Sequence, residues 1–323
     1  MSGSVRIAPS SSLGAIARTL VGLVAVTVAP IERLHVVYIK ATNYIVSRGL
    51  MSCSLQIKPL IQERQMEFNT ITIEQKDQAG VITLNRPEKM NTFSGQLARD
   101  LNDGLRLLDQ NNRVRVIIVK GAGRAFSAGI DIAEFSGKTT TEYQEWISLM
   151  DEMHFTIASL AKPVIAMAHG FAVANGAGLV FAADFAIVAE GTKIGTTAIN
   201  VGLLCTGPII PISYGLGKKK ILELLLSGDM IDAIEAERLG LVNKVVPLDD
   251  LEAETMAFAQ KLIRKSPLAI KIGKQFYYQM MAMPFTQRFT YSSEVFARLC
   301  TSEDAKEGVA AFIENRQPVW RGM

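Results

Sequence analysis

Three runs in the middle of the chain, "RVRVIIVKG" (113–121), "PVIAMAHG" (163–170) and "DFAIVAE" (184–190), are apolar along most of their length. A strand with one face in water alternates polar and apolar residues. A strand apolar throughout is buried on both faces, as in a parallel sheet covered by helices. The segments between and before these runs carry helical spacing. Ser94 stands as the cap of a helix reaching about Gln110, with Leu97, Leu101, Leu105 and Leu108 along one face. A second helix is expected near 142–160. Further upstream, "TITIEQ" and "GVITLN" alternate on either side of 76–79, which reads as a hairpin. Strands and helices in this order give an α/β fold with right-handed crossovers. From Pro208 onward the pattern is helical apart from "LVNKVVP", and residues 249–323 read as three or four helices without a strand partner.

Charge narrows the function classes. The net charge is +3. Seven basic residues against two acidic ones in residues 1–65 leave the rest of the chain with a net charge of −2. That body has no basic stripe interleaved with aromatics, so no nucleic-acid partner is expected. Cys53, Cys205 and Cys300 are far apart, odd in number and in no metal-ligand spacing, which points to a reducing compartment and no metal. The apolar stretch 13–31 is interrupted by Arg18 and ended at Pro30, marginal against the roughly 20 apolar residues of a span. Three readings of residues 1–65 fit. They are a mitochondrial-type targeting segment rich in Arg and Ser, a membrane anchor through 13–31, or an extension outside the fold ahead of a true start at Met66. The last reading gives a cytoplasmic protein, with a core over 66–248 and a helical region over 249–323.

Two glycine loops carry the candidate chemistry. "VIIVKGAGRAF" places Gly121 and Gly123 after a strand, but Phe126 occupies the third glycine position of a dinucleotide fingerprint and no helix opens there. Its continuation "AFSAGIDIAEF" (125–135) bends at Gly129, with Asp131 two residues on. The second loop, "AHGFAVANGAGLVFAADFA" (168–186), has one histidine and no charged group before Asp184, and opens a buried helix at Gly176. Paired, the loops offer two backbone N–H groups, near Ala128 and Asn175, to a polarised carbonyl oxygen.

The ordered motifs "LNRPEKMNTFS", "GAGRAFSAGIDIAEF", "KPVIAMAHGFAVANGAGL", "AADFAIVAE", "TKIGTTAINVGLL" and "EAERLGLVNKVVP" resemble the enoyl-CoA hydratase/isomerase, or crotonase, superfamily. The resemblance covers about 66–323 and points within the family toward the branch of enoyl-CoA hydratase domain-containing proteins. It implies a crotonase-like spiral ββα core with a C-terminal helical trimerisation region, assembled as a homotrimer or hexamer. It implies acyl-CoA thioesters as substrates, coenzyme A being part of the substrate rather than a separate cofactor. Carried over by motif, the oxyanion-hole amides fall on Ala128 and Asn175. Contacts to the CoA moiety fall on Lys89, Met90, Ala125, Phe126, Ile130, Asp131 and Ile132.

The same resemblance exposes a gap. Family hydratases hold one water between two glutamates, at positions that here read Gly178 and Ala198. Adding water to a double bond needs a base and an acid together, each contributing ~10²–10⁴-fold, and neither Gly nor Ala supplies one. Cys205 and Thr206 complete the expected acyl pocket with Gly178 and Ala198, Cys205 reading as a buried structural thiol. Asp184, His154 and His169 read as structural, and Phe276, Tyr277, Phe285 and Phe289 as an apolar interface. An unconventional lyase or isomerase and a non-catalytic CoA-ester binder both fit.

Overall fold

The computed structural model describes residues 67–323 and, before them, two strands, β1 (Tyr44–Ser47) and β2 (Leu50–Cys53), paired antiparallel. The chain divides into Met1–Met66 and Glu67–Met323, and all that follows concerns the second unit. The targeting, anchor and start-site readings of 1–65 lie outside the described residues.

The hairpin forms as its alternation dictates: β3 (Ile71–Lys76) pairs antiparallel with β4 (Ala79–Leu84). β5 (Val116–Gly121), β6 (Val164–Ala168), β8 (Phe185–Ala189) and β11 (Lys244–Val246) extend it in parallel, giving the order β11-β8-β6-β5-β4-β3. A smaller sheet, β10-β9-β7, joins β7 (Phe171–Val173), β9 (Lys193–Gly195) and β10 (Met230–Asp232). Here the structure departs from the helical expectation after Pro208, since β10 lies in that region. A three-residue strand is too short to show alternation, and its pairing with β9 comes from tertiary contact.

One face of the large sheet is covered by α1 (Gly95–Gln110), α2 (Thr140–Ser159) and α3 (Asn175–Ala182). Ser94 Oγ accepts the Leu97 N–H and starts α1, and a Thr139/Glu142 capping box starts α2. Leu97, Leu101 and Leu105 have no exposed surface and meet Phe93, Phe126 and Met150 in the main core. Each such leucine contributes roughly 1.5–3 kcal/mol by burial.

Past β9, α4 (Thr206–Ile209), α5 (Lys218–Ser227) and α6 (Ala233–Arg238) lead to β11. α7 (Leu251–Ile263) then packs Leu251, Ala259 and Ile263 on the opposite sheet face, against Ile118, Ile165 and Ile187. α8 (Pro267–Met281), α9 (Phe285–Cys300) and α10 (Glu303–Ile313) end the chain. A buried ion pair ties α8 to the sheet. Lys274 Nζ lies 2.6 Å from Asp184 Oδ2, which also accepts the Val164 N–H at 2.8 Å, and the Tyr278 hydroxyl donates to Asp184 Oδ1 at 3.1 Å. Asp184 is thereby structural. Among the described residues no helix is long and apolar enough to cross a membrane.

Candidate functional site: two loops and a helix start

The "RPEKMN" segment forms a short 3-10 helix, Pro87–Lys89, after which Met90 and Asn91 take left-handed backbone (φ 49° and 54°). Asn91, fully buried, latches this turn to the next loop. Its Oδ1 accepts the Arg86 N–H at 2.9 Å, and its Nδ2 donates to the Ala122 and Ala125 carbonyls, both at 2.8 Å. Arg86 reaches further: Nη1 donates to Thr92 O at 2.6 Å and Nη2 to Asp131 Oδ2 at 2.8 Å. Burial raises the Asp131 carboxyl, but the Arg86 hydrogen bond, the Ala133 amide and the nearby positive charges outweigh it and hold the group below its ordinary range.

The two glycine loops meet through strand-like pairing of Ser127 with Ala172. Ser127 donates its N–H to Phe171 O at 3.0 Å, and Val173 donates to Ser127 O at 2.9 Å. Glycine is needed twice for this approach. A β-carbon at Gly176 would stand 2.2 Å from Ser127 O. Gly129 has φ +96°, and a β-carbon there would stand 2.9 Å from Ala174 Cβ. Gly129 and Ala174 therefore touch, and the peptide groups that follow them carry the N–H of Ile130 and of Asn175.

The pairing decides which amides are free, and it corrects the expectation for Ala128. The Ala128 N–H is spent on Met90 O at 3.0 Å. Ile130 forms a parallel bridge with Phe93 through its neighbours: Phe93 donates to Gly129 O at 2.7 Å and Asp131 donates to Phe93 O at 2.8 Å. In such a bridge the central residue's own N–H points away. Among the described residues no hydrogen bond uses the Ile130 N–H or the Asn175 N–H. Asn175 is the first residue of α3, where an N–H has no partner within the helix. Ala174 before it sits at φ 48°, ψ −114°, a conformation costly for a residue with a β-carbon, and its N–H is pinned to Gly195 O at 2.8 Å.

Of the residues expected to meet CoA, Lys89, Met90, Ile130, Asp131 and Ile132 lie at or near the surface around this junction, and Ile132 is 81% exposed. Ala125 and Phe126 differ: neither has exposed surface, and Phe126 belongs to the core. Their place after β5 fixes the loop, and their side chains face inward.

Of the expected acyl-pocket residues, Gly178 lies against α4, Thr206 begins that helix, and Cys205 just before it meets the Ala198 backbone. A β-carbon at Gly178 would stand 3.1 Å from the Cα, Cβ and Cγ of Pro208. Cys205 is buried, which pushes its thiol up against the counteracting Ala198 backbone N–H, the opposite of what an activated nucleophile needs. Thr206 is exposed. His169 donates from Nε2 to Gly123 O at 2.7 Å and serves the turn.

The sequence reading passed over Asp151. It lies on α2 and lines, with His154, a cavity of about 880 Å³ walled by Val180, Phe181, Ile210 and Ile212. Burial pushes the Asp151 carboxyl up, with His154 opposing, and pushes the His154 imidazole down.

A mostly parallel sheet with a small accessory sheet, two apposed glycine loops and a buried helix opening on a free amide mark the class. The chain belongs to the enoyl-CoA hydratase/isomerase (crotonase) family, whose profile matches residues 74–323. Among its relatives is a probable mitochondrial enoyl-CoA hydratase of Dictyostelium discoideum, 33% identical over 257 residues, spanning 79% of this chain and 91% of that protein. The mitochondrial enoyl-CoA hydratase domain-containing protein 3 of Homo sapiens is 31% identical over 258 residues, spanning 80% of this chain and 85% of the relative. The crystal structure of the human domain-containing protein 3 superposes with a TM-score of 0.75 at 31% identity, covering 78% of this chain and all of that one. An enoyl-CoA hydratase structure from Mycobacterium smegmatis gives 0.75 at 30% identity, covering 78% and 99%.

Proposed function

We propose that the protein binds an acyl-CoA thioester and holds the thioester oxygen between the N–H groups of Ile130 and Asn175. The observation that carries this is the apposition of two unspent amides at the Gly129–Ala174 contact, one of them at a helix start. The CoA moiety runs past Lys89, Met90, Asp131 and Ile132. Fatty or related acyl chains enter beside Gly178, Ala198, Cys205 and Thr206, where no carboxylate stands in either family position.

Binding measured by calorimetry tests this directly. Two amide hydrogen bonds of ~0.5–1.5 kcal/mol each predict that crotonyl-CoA binds roughly 5- to 150-fold tighter than its thioether analogue, which lacks the carbonyl. Equal affinities refute the reading. A second reading, a CoA-ester binder without turnover, is favoured by Pro208 standing against Gly178, and turnover on a panel of acyl-CoAs separates the two.

We propose assembly as a homotrimer or hexamer, the state the family resemblance implies, and α9 supports an interface by exposing Phe285, Phe289 and Phe296 at 71%, 65% and 68%, beside Tyr277 on α8. Phe276, expected among them, is instead half-buried and stacked on Tyr291. Light scattering that finds monomer alone at micromolar concentration overturns this. The relatives named as mitochondrial favour the targeting reading of residues 1–65, and import into isolated mitochondria with loss of the segment tests it.

A further inference from the structure

The carboxylate missing from α3 and from the turn at Ala198 is present on the neighbouring helix. Asp151 is bracketed by the elements that build the thioester site. Met150, just before it, offers its carbonyl to the Asn175 side chain at 3.5 Å. On the other side α4 makes room for the carboxylate: a β-carbon at Gly207 would stand 2.1 Å from Asp151 Oδ1 and 2.6 Å from Oδ2. The next residue of α4 is the Pro208 that rests on Gly178.

Asp151 is also unspent. Asp100, Asp131, Asp184 and Asp304 are buried or half-buried, and each is held by amides, hydroxyls or a cation. Among the described residues no hydrogen bond or ion pair engages the Asp151 carboxylate. One turn along α2, His154 places Nδ1 at 2.9 Å from Asp151 O. A carbonyl only accepts, so Nδ1 carries the proton, and burial keeps the ring neutral. Its Nε2 is buried without a partner. The imidazole forms no ion pair with the Asp151 carboxylate, and both groups line the same apolar-walled cavity.

We propose that Asp151 is the proton carrier of this protein, a single carboxylate that removes a proton from an acyl-CoA chain and returns it. The inference rests on the thioester reading above. The C–H bond next to the thioester carbonyl breaks, and its proton passes to Asp151. The electron pair moves into the C–C bond, and the resulting enolate oxygen is held by the Ile130 and Asn175 amides. Returned to the same carbon, the proton gives exchange with solvent. Returned two carbons further along a β,γ-unsaturated chain, it gives the α,β-unsaturated isomer. Neither outcome needs an oxidant or a second acid, whereas adding water needs acid and base in place together.

The test is deuterium incorporation at the α-carbon of butyryl-CoA in D₂O, followed by mass spectrometry on the full chain, with butyryl-CoA affinity measured beside it. Wild type incorporates deuterium above the protein-free rate. Asp151→Asn slows it by ~10² or more, the lower end of what a positioned acid–base group supplies, while affinity stays within threefold. Gly207→Ala keeps the carboxylate but puts a methyl where it lies, so it also slows exchange without loss of affinity, and it decides the matter where Asp151→Asn does not fold. Butyryl-CoA bound without exchange overturns the proton carrier and leaves the thioester site standing. Exchange at the wild-type rate in either folded variant overturns it too. Absence of butyryl-CoA binding overturns the thioester reading and this inference with it.

Discussion

Replacing Arg86 with Met removes the guanidinium that joins two loops while keeping the packing of a long side chain. In the native protein Nη2 holds Asp131 at 2.8 Å, with only 18% and 12% of the two side chains exposed, and Nη1 holds Thr92 O. Hydrogen bonds to charged groups contribute ~1.5–3 kcal/mol, and an acid left half-buried without its cation adds a desolvation cost. Arg86→Met is therefore expected to lower the unfolding free energy by about 2–3 kcal/mol at pH 7. The pH dependence has a definite sign. Native Asp131 titrates below its ordinary value, so its contribution is complete above the unfolded pKa and disappears as pH falls through the lower folded pKa. In the variant only the Ala133 amide and Lys89 still oppose burial, so the folded pKa of Asp131 rises above its native value. The gap between wild type and variant should thus shrink as pH falls through the variant's folded pKa and close below the lower native one. Urea unfolding from pH 7 down to about pH 3 reads this. The thioester preference over the thioether should fall in parallel, because Asp131 anchors the peptide next to Ile130. A gap that stays constant across that range would show that Arg86 acts by packing and that the charge argument is wrong.

Lys274→Met should destabilise the fold by roughly 3–5 kcal/mol, because Asp184 then stays buried without its cation; adding Asp184→Asn should recover part of the loss, as a double-mutant cycle of thermal unfolding would show. Limited iodoacetamide treatment should label Cys300 well before Cys205, since the first is exposed and burial raises the thiol of the second; peptide mass mapping checks the order, and equal labelling contradicts it.

Much of the fold was legible because its signals are local. Ser94 and the leucine spacing specify α1, and the uninterrupted apolar runs specify β5, β6 and β8 as strands buried on both faces. The small sheet was not legible, since three-residue strands carry no period and form only when the chain folds back. The site divides in the same way. The glycines at 129 and 176 mark the close approach of two loops, yet which amide stays free depends on pairing register. Moving from Ala128 to Ile130 changes nothing in composition and everything in direction, because the bridge to Phe93 turns one N–H outward while Met90 takes the other. Asp151 was hidden for a related reason. On a helix it is one acidic residue among several, and only the return of α4, more than fifty residues later, gives it a wall.

Gly178 and Ala198, standing where the resemblance implies two glutamates, yield the sharpest expectation of the proposed function. Wild type should hydrate crotonyl-CoA slowly, because losing both carboxylates costs at least what one contributes, ~10² or more in rate, and paired groups are not additive. Restoring them is a question of room. Gly178 does not lie in the left-handed region, so no backbone constraint forbids a side chain there. The obstacle is Pro208, whose Cα, Cβ and Cγ would all stand 3.1 Å from the new β-carbon. Overpacking of this kind costs about 1–3 kcal/mol or displaces the intruding group. Gly178→Glu with Ala198→Glu alone should therefore lose stability and recover little hydration. Adding Pro208→Gly removes two of the three contacting atoms and should raise the hydration rate above that of the double variant. The measurement is the loss of enoyl-thioester absorbance, with crotonyl-CoA affinity determined for each variant so that a failed site is distinguished from an empty one. Two results would refute the reasoning. One is a triple variant that binds crotonyl-CoA but hydrates no faster than the double. The other is wild-type hydration near the general enzyme median of about 10 per second, which would mean that groups other than the two absent glutamates already perform the addition.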